Sequence, residues 1–468
     1  MLFGEPLPFV CAYLEQLDEQ LRVQGGPHRG LSRLQRHWLS FCLMGMMMTE
    51  SLCWARFERA SAGRYSAAAL TWMFRHAKLP WGWLLRVSVR VVLHRYGITG
   101  GVLIIDDVAN PRAKVTRHIA YTHKLKHPGS GGFVNGQSLV MLLLITAQVT
   151  IPMDFCFYQP DPLYQRWRRE DQRLRRQGMA KRQRPKPPAV DARYPSKLDL
   201  ALRLLASFRA EHPRLRVHCV VADALYSSGA FLDQASALLD GVQVIGQLRH
   251  NQRVRYRGHS RSVAAYFQSF PGIPQALRRR GGEPIPVDLG SARLYVDSHG
   301  KKRFVLALKY DDQGEYRYFV ATDLTWRALD IAQARSLRWL IEVFFEDWKA
   351  HHGWVKLAKQ PGEEGSVRGA SLSLLLDHCL LLHPEQTACI ERRQPAHTVG
   401  SLVHHTKVES LVQVIRELLA ATDPPAQLRQ LAETLHELYP ASASSKHMIG
   451  RDLGRLEPTP SLQYRATG

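Results

Sequence analysis

Between Gly100 and Leu248 the chain alternates apolar runs of strand length with segments of helical period, and this order constrains the fold more than any other feature. "GGVLIIDD", from Gly100 to Asp107, is a β-branched run that ends in two carboxylates. "VTRHIAYTHKL" and "GQSLVMLLLITAQVTIPMDFCFYQ" predict two or three further strands, which as sequence neighbours are expected to pair antiparallel. "SKLDLALRLLASFRAEH" then reads as a helix, "RVHCVVAD" as a strand, "SSGAFLDQASALLD" as a helix and "VQVIGQL" as a strand. The β-β-β-α-β-α-β order predicts an α/β fold of the mixed α+β kind, a mixed sheet covered by helices.

The flanks differ in character. Residues 1–97 show helical periodicity, with Ser66 a candidate cap for "AAALTWMFRHAK"; a plain helical bundle and a weak helix-turn-helix both fit. Residues 252–325 are basic and strand-like, as in "ARLYVDS" and "KRFVLALKY", and form a β-rich insertion within the mixed sheet's sequence. The expected divisions are 1–97, 98–251, 252–325, 326–375 and 376–468, with helices resuming near Ala328 and a polar tail after Tyr439. The arginine-rich, proline-containing segment from Arg166 to Lys186 reads as a mobile or partly helical insertion.

Charge narrows the partners. Sixty-three Lys and Arg against 41 Asp and Glu give a net charge of +22 and a pI near 9.9, so a polyanion is the expected partner. The seven cysteines form no CxxC pair or zinc-like spacing and fit reduced thiols in a cytoplasmic protein. The N-terminus lacks a basic stretch followed by a long apolar one, which argues against a signal peptide. The longest apolar run, Ser138 to Ile151, is too short and too polar to span a bilayer and reads as a buried strand.

Three acidic positions suit a hard divalent cation, which takes oxygen ligands. Asp106 or Asp107 ends one apolar run, Asp223 ends another in "VVAD", and Glu342 lies in "RSLRWLIEVFFEDWK". The alternatives are a turn or helix cap for Asp223 and a solvated ion-pair stripe for Arg338, Glu342, Glu346 and Lys349, which recur every three to four residues. Adjacent Asp106 and Asp107 repel one another, and a nearby cation would relieve this.

The segment "ATDLTWRALDIAQARSLRWLIEVFFEDWK" resembles the signature of bacterial insertion-sequence transposases of the DDE type, in the cut-and-paste branch with the Tyr-Arg-Glu-Lys motif. Arg338, Glu342 and Lys349 fall at the spacings of that motif, and Arg335 stands where the branch has its tyrosine. "VLIIDD" and "VVADALYSSGAFL" resemble the family's first and second Asp segments, and "VIGQLRHNQRV" its strand ending in a basic turn. The resemblance implies an RNase H-like catalytic domain with Asp106, Asp223 and Glu342 as catalytic metal ligands and Asp107 as the alternative first ligand. It implies two Mg²⁺ ions about 4 Å apart, replaceable by Mn²⁺, that activate a water and later a DNA 3′-hydroxyl for attack on a phosphodiester. Arg335, Arg338, Lys349, Lys114, Lys124, Lys126 and Arg249 are the expected DNA contacts. The implied partners are double-stranded DNA, as element terminal inverted repeats and target, and a second copy in a synaptic homodimer, with no membrane partner and a bacterial, nucleoid-associated location. A DNA-binding N-terminal region and a dimerising C-terminal region belong to the same expectation. An RNase H-like nuclease without strand transfer, and a domesticated non-catalytic DNA-binding protein, are the competing readings.

Overall fold

Val102, Leu103, Ile104 and Ile105 are all buried, so both faces of their strand are covered. The computed structural model describes residues 2–23, 30–112, 116–127, 132–278, 283–310, 314–356 and 362–439. The strands that hold the acidic residues and their neighbours are β1 (Gly100–Pro111), β2 (His123–His127), β3 (Gly132–Ile145), β4 (Thr150–Tyr158), β5 (Arg216–Ala222) and β6 (Gln243–Leu248). They continue into β7 (Arg253–Tyr256), β8 (His259–Ser262), β9 (Ile273–Leu277), β10 (Ile285–Val296), β11 (Lys301–Tyr310) and β12 (Arg317–Ala321).

The central order is β4-β3-β1-β5-β6. β3 runs antiparallel to both β4 and β1, whereas β1, β5 and β6 are parallel, with Ile105 opposite Ala222 and Val221 opposite Ile245. Three antiparallel strands followed by two parallel ones make this an RNase H-like mixed sheet, as expected. The stretch over 252–325 joins the same sheet: β12 pairs with β6, and β11, β10 and β7 follow outward. The β12–β6 and β10–β7 pairings bridge distant segments, so local patterning could not announce them, whereas β10–β11 and β11–β12 are hairpin neighbours.

Helices α1 (Pro8–Val23), α2 (Arg33–Thr49), α3 (Trp54–Ala60), α4 (Ala67–His76) and α5 (Trp81–Arg95) precede the sheet. Ser66 does cap α4, its hydroxyl accepting from the Ala69 N–H. α6 (Pro162–Arg176) and α7 (Lys197–Glu211) connect β4 to β5, α8 (Gly229–Leu238) connects β5 to β6, and α9 (Val263–Ser269) follows β8. α10 (Ala328–Ser336), α11 (Trp339–His351), α12 (Gly362–Leu381), α13 (Pro384–Glu391), α14 (Val399–Leu419) and α15 (Pro424–Leu438) complete the described chain. Strand alternation splits the core in two. Ile104, Val221 and Ile245 pack with α2, α11 and α12 on one face, and Leu103, Ile105, Val220 and Val244 pack with α7 and α8 on the other.

The segment "RSLRWLIEVFFEDWK" is not one helix. α10 ends at Ser336 and α11 begins at Trp339, and across the junction the N–H groups of Leu337, Arg338, Leu340 and Ile341 donate to carbonyls three residues back. This tight turn re-aims Arg338 relative to α10, a geometry common at functional hinges. α11 then buries Ile341, Phe344, Phe345 and Trp348, at roughly 2 kcal/mol for each side chain removed from water. Trp348 stacks on Trp354 with centroids 4.4 Å apart and planes 6° apart. The chain reaches Trp354 through Gly353, whose φ of +74° and close approach to the Ser51 backbone suit only glycine. Trp339 does not join this core: it is 62% exposed, since the new helix starts there and points its first side chain outward.

Candidate active site

The strand register brings Asp106 and Asp223 together. Ile105 and Ala222 are the last partners on adjacent parallel strands; β5 ends there while β1 continues to Pro111 against β3 alone, so Asp106 and Asp223 come next to each other at the point where the two strands part. Open sheets bind ligands at the carboxyl ends of their parallel strands. Asp223 precedes a short turn of 3₁₀ helix, but its side chain makes no capping hydrogen bond; its main-chain carbonyl accepts from Tyr226 N–H and Ser227 hydroxyl instead. The capping alternative is therefore not how the Asp223 carboxylate is used.

Alternation separates Asp106 from Asp107. Asp106 lies on the face that carries α11, is 8% exposed, and accepts from the Asp107 N–H through Oδ1 and from Arg338 Nη1 through Oδ2, each at 2.8 Å. Asp107 lies on the α7 face, where Oδ2 accepts from Lys197 Nζ at 2.5 Å and Oδ1 from the Tyr226 hydroxyl at 3.4 Å. Lys197 also sits over the Tyr158 ring, 5.3 Å from its centroid. The two acids thus answer to different partners: a lysine and a phenol hold Asp107, while Asp106 faces Asp223 and the helix that carries Glu342.

Glu342 is linked to the strand acids through Arg338. Nη1 of Arg338 donates to Glu342 Oε1 at 2.8 Å as well as to Asp106, an i,i+4 pair and a long-range pair through one atom. Burial pushes the Asp106 carboxyl up to about 7; the Asp107 N–H and Arg338 oppose this, while the Asp223 and Asp107 charges add to it. Burial also pulls Arg338 down, but its bond to Glu342 and the charges of Asp106 and Asp223 outweigh this and hold it above its usual range.

Arg335 is not at the surface. It is 8% exposed, donates to Gln247 Oε1 at 3.0 Å and lies over the Phe319 ring at 5.1 Å. Burial and the Arg338 charge lower it to about 10, against the pull of Asp223 and Asp106. It is a fixed positive charge beneath the carboxylates. Periodicity missed this because the arginine is held from strands β6 and β12, far off in sequence.

The remaining basic positions spread around the same end of the sheet. β6 delivers exposed Arg249 there, and β2, which pairs with the start of β3, carries exposed Lys124 and Lys126. β4 ends there too, and α6 follows with Arg166, Arg168, Arg169, Arg173, Arg175 and Arg176 all exposed and no residue buried. The segment expected to be mobile or partly helical is thus a helix over Pro162–Arg176, started by Asp161, whose carboxylate accepts from the Leu163 and Tyr164 N–H groups. Lys349 is exposed on the last turn of α11. Glu346 is exposed, and the ion pairs of Arg338 go to Asp106 and Glu342 rather than to it. Lys114 and the glycine-rich 128–131 lie outside the described residues. Sequence reasoning also missed Lys197, although the Ser196–Asp199 capping box fixes it as the first residue of α7.

Among the described residues no three His, Cys, Asp or Glu side chains converge into a ready-made metal cluster. The donor chemistry nevertheless fits a hard divalent cation: Asp106, Asp223 and Glu342 offer carboxylate oxygens, and the Arg338 guanidinium already stands as a cation between two of them. Among the described helices none is long and apolar enough to cross a membrane.

The fold is an RNase H-like sheet with Asp106 and Asp223 adjacent where β5 ends beside β1. The chain matches the family model described as DDE superfamily endonuclease over residues 28–292, and it belongs to that family. The matched span holds Asp106 and Asp223, and Glu342 follows 50 positions after its end. No individual curated protein matches the chain. The family gives the coarse activity, a DDE-type, transposase-like endonuclease domain, and such domains generally use divalent metals.

Proposed function

We propose that this endonuclease domain is a transposase that cuts DNA at the ends of an insertion sequence and joins them to target DNA, with Asp106, Asp223 and Glu342 as its catalytic carboxylates. The observation that carries the reading is the meeting of Asp106, Asp223 and, through Arg338, Glu342 at the end of the sheet where the basic groups also gather. Two divalent ions bound by these acids would supply activation of the attacking hydroxyl and neutralisation of the leaving oxygen. Asp106 and Asp223 ride on adjacent rigid strands, which fixes their separation. α11 presents Glu342 from above, anchored by Trp348 on Trp354. Arg338 suits bidentate contact with a phosphate near the scissile bond, and Lys349 offers a compact charge about three turns further along α11. Arg249, Lys124, Lys126 and the α6 arginines would track the backbone without reading sequence. Asp107, held by Lys197 and Tyr226 on the α7 side, orients this stretch of β1.

The test is incubation of the purified protein with duplexes carrying its own element's ends and with Mg²⁺ or Mn²⁺, scored for nicking and joining. Cutting and joining that both vanish in Asp223→Asn support the reading. Cutting without joining reduces it to a nuclease, and neither activity in a folded protein with intact end binding supports a non-catalytic DNA-binding role.

A further inference from the structure

Arg338 sits where a cation would have to bind, if Asp106, Asp223 and Glu342 are metal ligands as proposed above. A single atom, Arg338 Nη1, lies 2.8 Å from an oxygen of Asp106 and 2.8 Å from an oxygen of Glu342. Those are two of the three carboxylates that a divalent cation would need, and a guanidinium and a metal ion cannot share them without repulsion. Arg338 is also placed to leave. It stands at the tight turn between α10 and α11, and its side chain is 20% exposed. Arg335 beside it is locked by Gln247 and Phe319 and would stay in place if Arg338 turned outward. A DNA phosphate offers Arg338 a bidentate partner of equal charge outside the carboxylate cluster.

We infer that Arg338 is a built-in placeholder for the divalent cation: in the free protein it occupies Asp106 and Glu342, and on DNA binding it passes to a phosphate, so that metal capture is coupled to DNA capture. The free protein would then bind metal weakly, and DNA would strengthen metal binding. By linkage, metal would strengthen DNA binding by the same factor. The coupling would keep the phosphodiester chemistry silent until a substrate backbone has docked.

The test is a Mn²⁺ titration of the full chain followed by electron paramagnetic resonance, first without DNA and then with an arbitrary DNA duplex. The chains compared are wild type, Arg338→Gln and Arg338→Met, each with and without Asp106→Asn. The placeholder predicts Asp106-dependent Mn²⁺ binding at least about tenfold tighter in the Arg338 variants than in wild type, the size of an ordinary coupling. It also predicts that the duplex tightens Mn²⁺ in wild type and leaves the Arg338 variants unchanged. If Asp106→Asn removes the site from all chains but the Arg338 variants bind Mn²⁺ no tighter than wild type, the placeholder is overturned while the metal-ligand reading stands. If no Mn²⁺ binding depends on Asp106 in any folded chain, with or without duplex, both fall. Two replacements of different polarity are used so that a folding failure in one leaves the comparison in the other, and thermal melts identify such a failure.

Discussion

Arg338 Nη1 and Asp106 Oδ2 lie 2.8 Å apart, joining residues 232 positions distant in the chain. The contact ties the middle of β1, where β5 ends beside it, to the start of α11 and marks the face on which Asp106, rather than Asp107, points. Asp106→Asn should therefore bring metal-dependent DNA cleavage below detection. Asp107→Asn should lower it by about 10–100-fold, as expected for a group that orients a ligand. Parallel cleavage assays on the two variants check this, and the reverse ranking would make Asp107 the ligand.

The α6 arginines should make DNA affinity sensitive to salt. Arg175 and Arg176 are exposed on a helix with no buried residue, so replacing them with Ala should leave the fold intact. If both neutralise phosphates, the log-log slope of DNA affinity against salt should flatten by roughly 0.9 for each phosphate left without its arginine. Binding isotherms at several salt concentrations read the slope directly, and an unchanged slope would leave α6 a solvated helix.

Trp348→Ala should cost about 3–5 kcal/mol, because it removes a fully buried ring stacked on Trp354. The same change loosens the helix that carries Glu342, so cleavage should fall further than the Trp354 stacking alone would suggest. Chemical denaturation together with a cleavage assay at a temperature where the variant remains folded separates the two effects.

Asp154 on β4 should make stability depend on pH. Burial raises its carboxyl to about 6, with the nearby Glu211 charge adding to this and the Phe155 N–H and Arg86 opposing it. The folded state therefore holds a proton more tightly than the unfolded chain, and this residue's contribution to stability falls as pH rises from about 4 to about 6. Asp154→Asn removes the ionisation. The variant should match wild type near pH 4 and exceed it at pH 7.5 by at most about 3 kcal/mol, given that a tenfold difference in proton affinity is worth about 1.4 kcal/mol. Urea melts across this range test the sign; a variant that loses ground as pH rises would contradict it.

Much of the sheet could be read from the chain because its strands advertise themselves. "GGVLIIDD" and "RVHCVVAD" are apolar runs ending in acids, and the order of strands and helices between them allows few topologies. The choice between Asp106 and Asp107 could not be read, since adjacent strand residues face opposite sides and only the packing of α7 and α11 decides which side holds which partner. The break at Leu337 was hidden for a similar reason: Leu, Arg and Trp carry ordinary helical propensities, and no glycine or proline marks the turn. Arg335 resembled a surface cation because its aromatic and amide partners arrive on strands β12 and β6.

The most direct measurement of the central claim is a crystal structure of the protein bound to end DNA in the presence of Mn²⁺, with the metal located by anomalous scattering. The account predicts manganese about 2 Å from carboxylate oxygens of Asp106, Asp223 and Glu342, with Arg338 turned onto a phosphate. Manganese bound only elsewhere, with Asp106 and Glu342 still held by Arg338 against a docked DNA strand, would contradict it.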